Sequence, residues 1–259
     1  MSRLSASARQ ALRAQFGLWP MHEVKTQLML GRHVPALRRF EDAEVARLRV
    51  DRPEFLVTTV MATYKRPSLL PIAVESALAQ TVTDHQVIVV DDGGGLPSLP
   101  DDPRVVAVSL SRNTAIAGLV RNVGIRLTRS RYVAFLDDDN TWRPDHLETM
   151  LAGLRRGADL VYSAVERHYP DGTVLDVLST PFDRKSFVDD SPYVDTNAIV
   201  VRRGPLFSRI PRVTTTFPKE DWEFVYRASR HGVVTHIPEP TVRYLINEGS
   251  YYTDWRSPH

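Results

Sequence analysis

Tyr132-Val133-Ala134-Phe135-Leu136-Asp137-Asp138-Asp139 decides the reading of this chain. Its first five residues are apolar, aromatic or β-branched, the composition of a short buried strand. Three acids then stand where that strand meets solvent. Side chains alternate along a strand, so Asp137 and Asp139 should share one side and Asp138 should take the other. Packed like charges raise one another's pKa and cost free energy unless a cation or a donor neutralises them. A hard divalent ion, Mg²⁺ or Mn²⁺, that keeps waters and a substrate phosphate is the simplest partner. The competing reading is a helix N-cap cluster, because Asn140, Thr141 and Pro144 follow and then a helix.

Around this stretch, strands alternate with helices. Phe55 to Met61 is expected as a strand, and Leu69 to Gln80 as a helix with Leu70, Ala73, Val74, Ala77 and Leu78 on one face. Gln86 to Val90 is a strand ending in Asp91-Asp92-Gly93-Gly94, and Val105 to Ser109 is a short one. Ile116 to Thr128 and Pro144 to Arg156 are amphipathic helices, the second closed by Gly157, and Asp159 to Val165 is a strand. This βαβαβ order predicts an α/β fold with a mostly parallel sheet and right-handed crossovers. Ligands then sit outside the carboxyl ends of the strands. Thr63-Tyr64, Asp91-Asp92 and the aspartate triplet all fall there. Beyond residue 165, Thr173 to Leu178, Asp195 to Arg202, Val233 to Ile237 and Thr241 to Ile246 are expected strands. Lys219 to His231 is an expected helix, Ser179 to Val194 a polar, Pro-broken mobile loop, and Asn247 to His259 an aperiodic tail.

Composition sets outer limits. The 259 residues are 42% hydrophobic and 25% charged, ordinary for a globular protein. There is no cysteine, which excludes disulfides and a thiolate-bound zinc. No apolar run approaches the ~20 residues of a membrane-spanning helix. Met1 to Arg13 lacks the apolar centre of a secretory signal, so a cytoplasmic chain is expected, with peripheral contact to a membrane surface as the alternative. The net charge of +2 makes no case for nucleic acid as a partner. Residues 1–52 nonetheless hold ten Lys/Arg against five Asp/Glu, with 23 and 26 in the remainder. This segment has helical stretches, including Ala11 to Phe16 and Val34 to Leu48, and Pro53 separates it from the first strand. It is expected to be a helical N-terminal extension that packs or forms a homo-oligomer. Residues 53–259 form the main domain, divided into a nucleotide-binding half (53–165) and an acceptor half with a C-terminal tail (166–259).

Five segments together resemble the glycosyltransferase family 2 enzymes with the GT-A fold. Val57 to Pro67 resembles their opening strand, and Val89-Val90-Asp91-Asp92-Gly93 their second motif. Asn113 with Gly118-Leu119-Val120-Arg121-Asn122-Val123-Gly124 is similar to their "G…ARN.G" helix. Phe135 to Asp139 resembles their metal-binding DxD segment, and Glu220-Asp221-Trp222-Glu223-Phe224 their late "ED" motif. Each motif is weak by itself; their common order and spacing over residues 54–250 is specific.

The resemblance implies an inverting transfer of a sugar from a nucleotide diphosphate, UDP being the commonest donor, to a hydroxyl or amine. The acceptor would be a small molecule, a glycan or a lipid-linked glycan. It assigns Asp139 to a Mn²⁺ or Mg²⁺ ion, with Asp137 in the metal shell or near the ribose and Asp138 beside the donor. Asp92 would meet the base's N–H, with Thr63, Tyr64 and Arg66 lining the donor pocket. Arg121 would pair with the diphosphate or with Asp91 or Asp92. Asp221 would be the general base, kept ionised by its place at a helix start. Asn197, Glu220 and Trp222 would meet the acceptor, although a single Trp on a helix equally suits the core. Two departures stand out: Lys65 replaces the usual Asn before Arg66, and Asn247 stands where a metal-binding His often follows the last strand. Two rivals differ in class. Asp137-x-Asp139-x-Thr141 also suits a haloacid-dehalogenase-like phosphatase, and the fold would also suit a sugar-nucleotide-binding module without turnover.

Overall fold

The computed structural model describes residues 7–8, 11, 33–49, 54–184, 194–204 and 220–246, with Glu220 described in its backbone only. The elements in chain order are α1 (Val34–Arg47), β1 (Val57–Thr63), α2 (Leu70–Leu78), β2 (His85–Asp91), β3 (Val105–Ser109), α3 (Ala117–Leu127) and β4 (Tyr132–Phe135). They continue with β5 (Thr141–Trp142), α4 (His146–Arg155), β6 (Leu160–His168), β7 (Val174–Leu178), a 3₁₀ turn (Thr196–Ala198), β8 (Ile199–Arg202), α5 (Glu220–Ala228) and β9 (Val234–Leu245).

One nine-stranded sheet carries the molecule, in the order β3-β2-β1-β4-β8-β6-β9-β5, with β7 added beside β6. Strands β3, β2, β1 and β4 are mutually parallel. Beyond them β8 runs antiparallel to both β4 and β6, and β9 is parallel to β6. Strand β2 is buried on both faces, which is why Val87 to Val90 is an unbroken run of Val and Ile. The polar residues inside it are paired. Thr58 Oγ1 lies 2.6 Å from both Thr128 Oγ1 and Ser130 Oγ and accepts Gln86 Nε2 at 2.8 Å.

One apolar cluster joins α2, α4 and α5 to the sheet; a second places Leu119, Val120 and Val123 of α3 against Ile88, Val90 and Val106. Gly124 permits the close approach of α3, since a Cβ there would lie 2.4 Å from Val60 Cγ1. Helix α1 packs on the second cluster through Leu37, Phe40, Val45 and Leu48.

Most expected elements occur within one or two residues of their predicted ends. Four differ. The two strands expected over 233–246 are one, Val234–Leu245, whose Pro238 and Pro240 are accommodated by register shifts around Ala164. The strand expected from Asp195 begins only at Ile199, because the Asp195 carboxylate accepts Asn197 N–H and starts a 3₁₀ turn. Two-residue β5 carries no periodic signal. Strand β4 stops at Phe135, so the aspartates occupy a turn, where Asp137 and Asp139 are partly exposed and Asp138 is buried. The expected helix over Ala11 to Phe16, most of the loop 179–194 and the tail from Asn247 lie outside the described residues.

Candidate active site

The carboxyl ends of β1, β2 and β4 open onto one side of the sheet, as parallel topology requires. At the end of β2, both acids are satisfied by the chain itself. Asp91 is fully buried and accepts the N–H groups of Gly94 and Gly95, at 3.0 and 2.9 Å, and the Ser109 hydroxyl at 2.9 Å. Asp92 accepts Thr114 N–H and Oγ1–H on one oxygen and Ala115 N–H on the other, all within 2.8–2.9 Å. Gly93 has φ +72°, and a Cβ there would come 2.7 Å from the Arg112 carbonyl carbon, so this turn needs glycine. Lys65 and Ala115 also adopt left-handed backbone, at φ 55° and 53°; Ala115 lines the adjoining cavity and Lys65 stands between Tyr64 and Arg66, which do. That cavity, of about 400 Å³, is lined by Thr63, Tyr64, Arg66, Asp92, Ala115 and Asp138 among others.

At the end of β4 the carboxylates are crowded instead. Asp138 accepts the Thr63 hydroxyl at 2.6 Å, and burial, with Asp137 nearby, raises its pKa. Asp137 is held by Arg121 at 2.5 Å and by Asn197, whose Nδ2 donates at 3.1 Å while its Oδ1 accepts Asp137 N–H at 2.6 Å. Asp139 accepts only Asn140 Nδ2 among the described residues, at 3.0 Å. Burial first, then the charges of Asp137 and Asp138, push its carboxyl up to about 7, and Arg66 opposes them. Asp221 opens α5 and accepts Trp222 N–H at 2.8 Å. Burial and then Asp195 push Asp221 up to about 8, against the pull of that N–H and of Arg121. The helix start therefore does not keep Asp221 ionised at neutral pH in the unliganded protein, because desolvation and its acidic neighbours outweigh one N–H dipole.

The structure thus brings Asp137, Asp138, Asp139 and Asp221 into one electrostatic group, with Thr63, Tyr64, Arg66 and Asp92 beside it. Asp195, which sequence reading left as a strand residue, joins the group: it is 5% exposed and raises both Asp139 and Asp221. Its only sequence signal is the Asp-Thr-Asn run ahead of an apolar stretch. Arg121 pairs with Asp137, whereas Asp91 and Asp92 take the N–H and hydroxyl donors of their own loops.

The expected acceptor residues fare differently. Asn197 is fully buried, with its amide hydrogen-bonded to Asp137 and Asp195. Trp222 is 2% exposed and donates to Val194 O at 2.8 Å, the core alternative. The side chain of Glu220, like Asn247, lies outside the described residues. Residues beyond 165 that do face a cavity include Glu166, His168, Tyr169 and Arg243; they line one of about 510 Å³ that reaches Asp139. The Arg243 guanidinium makes no hydrogen bond or ion pair among the described residues. No cluster of three or more His, Cys, Asp or Glu side chains there could hold a metal unaided. The donor set nevertheless suits a cation: Asp139 is partly open, short of donors and crowded by other acids. Such a site would rely on substrate phosphate and water for its remaining ligands, as Mg²⁺-type sites commonly do.

Residues 58–197 match the family model described as glycosyl transferase family 2. The chain belongs to glycosyltransferase family 2. This glycosyltransferase is 43% identical over 100 residues to the succinoglycan biosynthesis protein ExoO of Rhizobium meliloti (strain 1021), covering 37% of this chain and 28% of that one. It is 25% identical over 211 residues to the uncharacterized glycosyltransferase YwdF of Bacillus subtilis (strain 168), covering 74% and 75%. It is 26% identical over 133 residues to the Escherichia coli UDP-Glc:alpha-D-GlcNAc-diphosphoundecaprenol beta-1,3-glucosyltransferase WfaP, covering 49% and 52%. The crystal structure of Staphylococcus aureus TarS 1-349 in complex with UDP-GlcNAc superposes with a TM-score of 0.59 at 16% identity, over 77% of this chain and 61% of that one. The fold is therefore GT-A, as the motifs implied. The chain spans about a quarter of the ExoO protein and about half of WfaP. Membership sets aside the phosphatase reading: Asp137-x-Asp139-x-Thr141 closes the fourth strand, and Thr141 pairs with Arg243 in β5–β9. Among the described residues no helix is long and apolar enough to cross a membrane.

Proposed function

We propose that this glycosyltransferase moves a sugar from a nucleotide diphosphate sugar, most simply a UDP-sugar, to a hydroxyl or amine of a glycan or lipid-linked acceptor, with inversion. The observation that carries the proposal is the contrast within one cleft. A preformed pocket whose acid is held by its own loop adjoins a group of acids that Arg121 and Arg66 only partly offset. WfaP's name records a UDP-sugar donor and a diphosphoundecaprenol-linked acceptor, and TarS was crystallised with UDP-GlcNAc. Both support the donor class.

The nucleoside end would enter the cavity between Tyr64 and Ala115. Asp92 has acceptor capacity left beyond its bonds to Thr114 and Ala115, which suits a base N–H. Arg66, whose charge already reaches Asp138 and Asp139, would face the diphosphate. Asp139 would hold a Mn²⁺ or Mg²⁺ ion, with Asp137 fixed behind it by Arg121 and Asn197. Such an ion offsets charge developing on the leaving diphosphate. Asp221 would take the proton of the attacking hydroxyl. A cation beside its acidic neighbours would lower its pKa from about 8 and make it available as a base. One base and one in-line displacement leave no covalent intermediate, hence inversion.

The test is thermal shift and calorimetry with UDP, GDP and dTDP, with and without Mn²⁺, followed by product analysis with UDP-sugars. Metal-dependent stabilisation by one nucleoside diphosphate and release of that diphosphate are expected. Release of inorganic phosphate, or no response to any of the three, would overturn the proposal.

A further inference from the structure

Helix α1 lies outside residues 58–197 that match the family, yet two of its glutamates are buried. Glutamate is almost never fully buried unless it is paired. Glu41 is fully buried and accepts Arg126 Nη1 at 3.0 Å and Asn122 Nδ2 at 3.4 Å, both from α3. Glu44 is 3% exposed and reaches a different element. Its Oε1 accepts the Ser111 hydroxyl at 2.6 Å, and its Oε2 accepts Ser111 N–H at 3.1 Å. Arg47, one helical turn on, pairs with Glu44 and donates to Ser109 O at 2.7 Å. The Arg112 guanidinium lies 4.5 Å from the Phe40 ring centroid. Residues 109, 111 and 112 are therefore each tied to α1.

The same loop closes the small cavity beside Asp92. Two and three residues past Ser111, Asn113 and Thr114 lead into Ala115, and Asn113 and Ala115 line the cavity. Ala115 holds left-handed backbone because its N–H is shared between Asp92 Oδ2 at 2.8 Å and Asn113 Oδ1 at 2.7 Å. A strained residue persists only where its surroundings over-determine it. One end of this turn is fixed by Asp92 and the other by Glu44.

We propose that Glu44 is a positioning residue for the nucleoside end of the donor site: by fixing Ser111 it holds the turn 113–115 against Asp92. The α1 helix then belongs to the donor site although the sequence places it in an extension. The inference rests on the donor reading given above.

The experiment measures UDP affinity with Mn²⁺ by calorimetry, and amide hydrogen exchange over 111–116, in wild type and four variants. Glu44→Ala should weaken UDP about tenfold, since it removes two hydrogen bonds to a charged group. It should also speed exchange at Thr114 and Ala115. Ser111→Ala, which keeps the backbone bond, should weaken UDP about threefold, and Glu44→Gln should restore part of the loss. Leu37→Ala loosens α1 packing without touching the loop, and it controls for stability alone. At comparable melting temperature it should leave both readouts within twofold of wild type. If Leu37→Ala and Glu44→Ala weaken UDP equally, or if neither does, Glu44 has no positioning role. If wild type binds none of UDP, GDP and dTDP, the donor reading falls and takes this proposal with it. If wild type binds and Glu44→Ala binds equally, only the positioning role falls.

Discussion

Two acidic strand ends, on the strands β2 and β4 that flank β1, have been built in opposite ways. Asp91 and Asp92 end β2 with their oxygens occupied by six donors from Gly94, Gly95, Ser109, Thr114 and Ala115. Asp137 to Asp139 end β4 with few donors, and with Asp195 and Asp221 close enough to raise their cost. The first arrangement is complete in the protein alone. The second stores unfavourable charge that a ligand can relieve. Sequence shows acids after both strands; their hydrogen bonds separate a pair held in place by the chain itself from a group left to its own repulsion.

The largest expected effect comes from removing the carboxylate that most lacks a partner. Asp139→Ala should lower transfer by more than about 10³-fold, because charge stabilisation by a metal at the leaving group is worth several kcal/mol. Quantifying released nucleoside diphosphate checks this, and near-normal release would break the comparison. Next, Asp221→Asn keeps the shape but cannot accept a proton. Turnover should fall by about 10²–10⁴ at unchanged donor affinity, and the rise of kcat with pH expected of the wild type should flatten. A pH–rate profile that still rises through the same range would remove Asp221 from the role of base.

Stability should separate the two clusters by sign. Asp91→Asn replaces an acceptor oxygen with an amide that faces N–H donors, so it should cost about 1–3 kcal/mol. Asp139→Asn should do the reverse in the metal-free protein. Its folded pKa of about 7 lies above the unfolded value of 3.8, so its ionised form opposes folding once the pH rises through that window. At pH 8 the substitution should raise the melting temperature. A loss of stability in both variants would show that the two clusters do not differ as described.

The smallest effect concerns a buried histidine away from the acids. His146 stacks on Trp142 with centroids 4.2 Å apart, shares a hydrogen bond with Thr241 at 2.7 Å and leaves Nε2 without a partner among the described residues. Burial pushes its pKa down to about 3, below the unfolded value of 6.5. Its stabilising contribution is therefore complete above pH 6.5 and is lost as the pH falls toward 3. The stability gap between wild type and His146→Gln should narrow by up to about 1.4 kcal/mol per pH unit below 6.5. Denaturant titrations at pH 7.5 and 5.5 test this; a constant gap would place the ring in contact with water.

What could be read from the sequence followed from local rules. Apolar runs that end in acids marked β2 and β4, and the helical spacing marked α2, α3 and α4. The parallel order then placed Thr63, Asp92 and Asp139 at one end of the sheet. What could not be read depended on distant partners. Asn197 lies 60 residues from the Asp137 it clamps, and it is braced in turn by Trp142 Nε1 at 2.8 Å. Nothing local distinguishes a Trp222 that floors an acceptor site from one that bonds to Val194. The left-handed Lys65 and Ala115 carry no glycine to announce them. Glu41 and Glu44 look like solvated helix charges until α3 and Ser111 are in place.

Proton-linked metal binding tests the central contrast most directly. Calorimetry of UDP with Mn²⁺ near pH 7, repeated in buffers of different ionisation enthalpy, reports both the need for the ion and any protons it displaces. The crowded cluster should bind UDP only with Mn²⁺, and binding should release protons, because Asp139 and Asp221 are raised to about 7 and about 8 beforehand. Equal UDP affinity in excess EDTA, with no proton released, would contradict it.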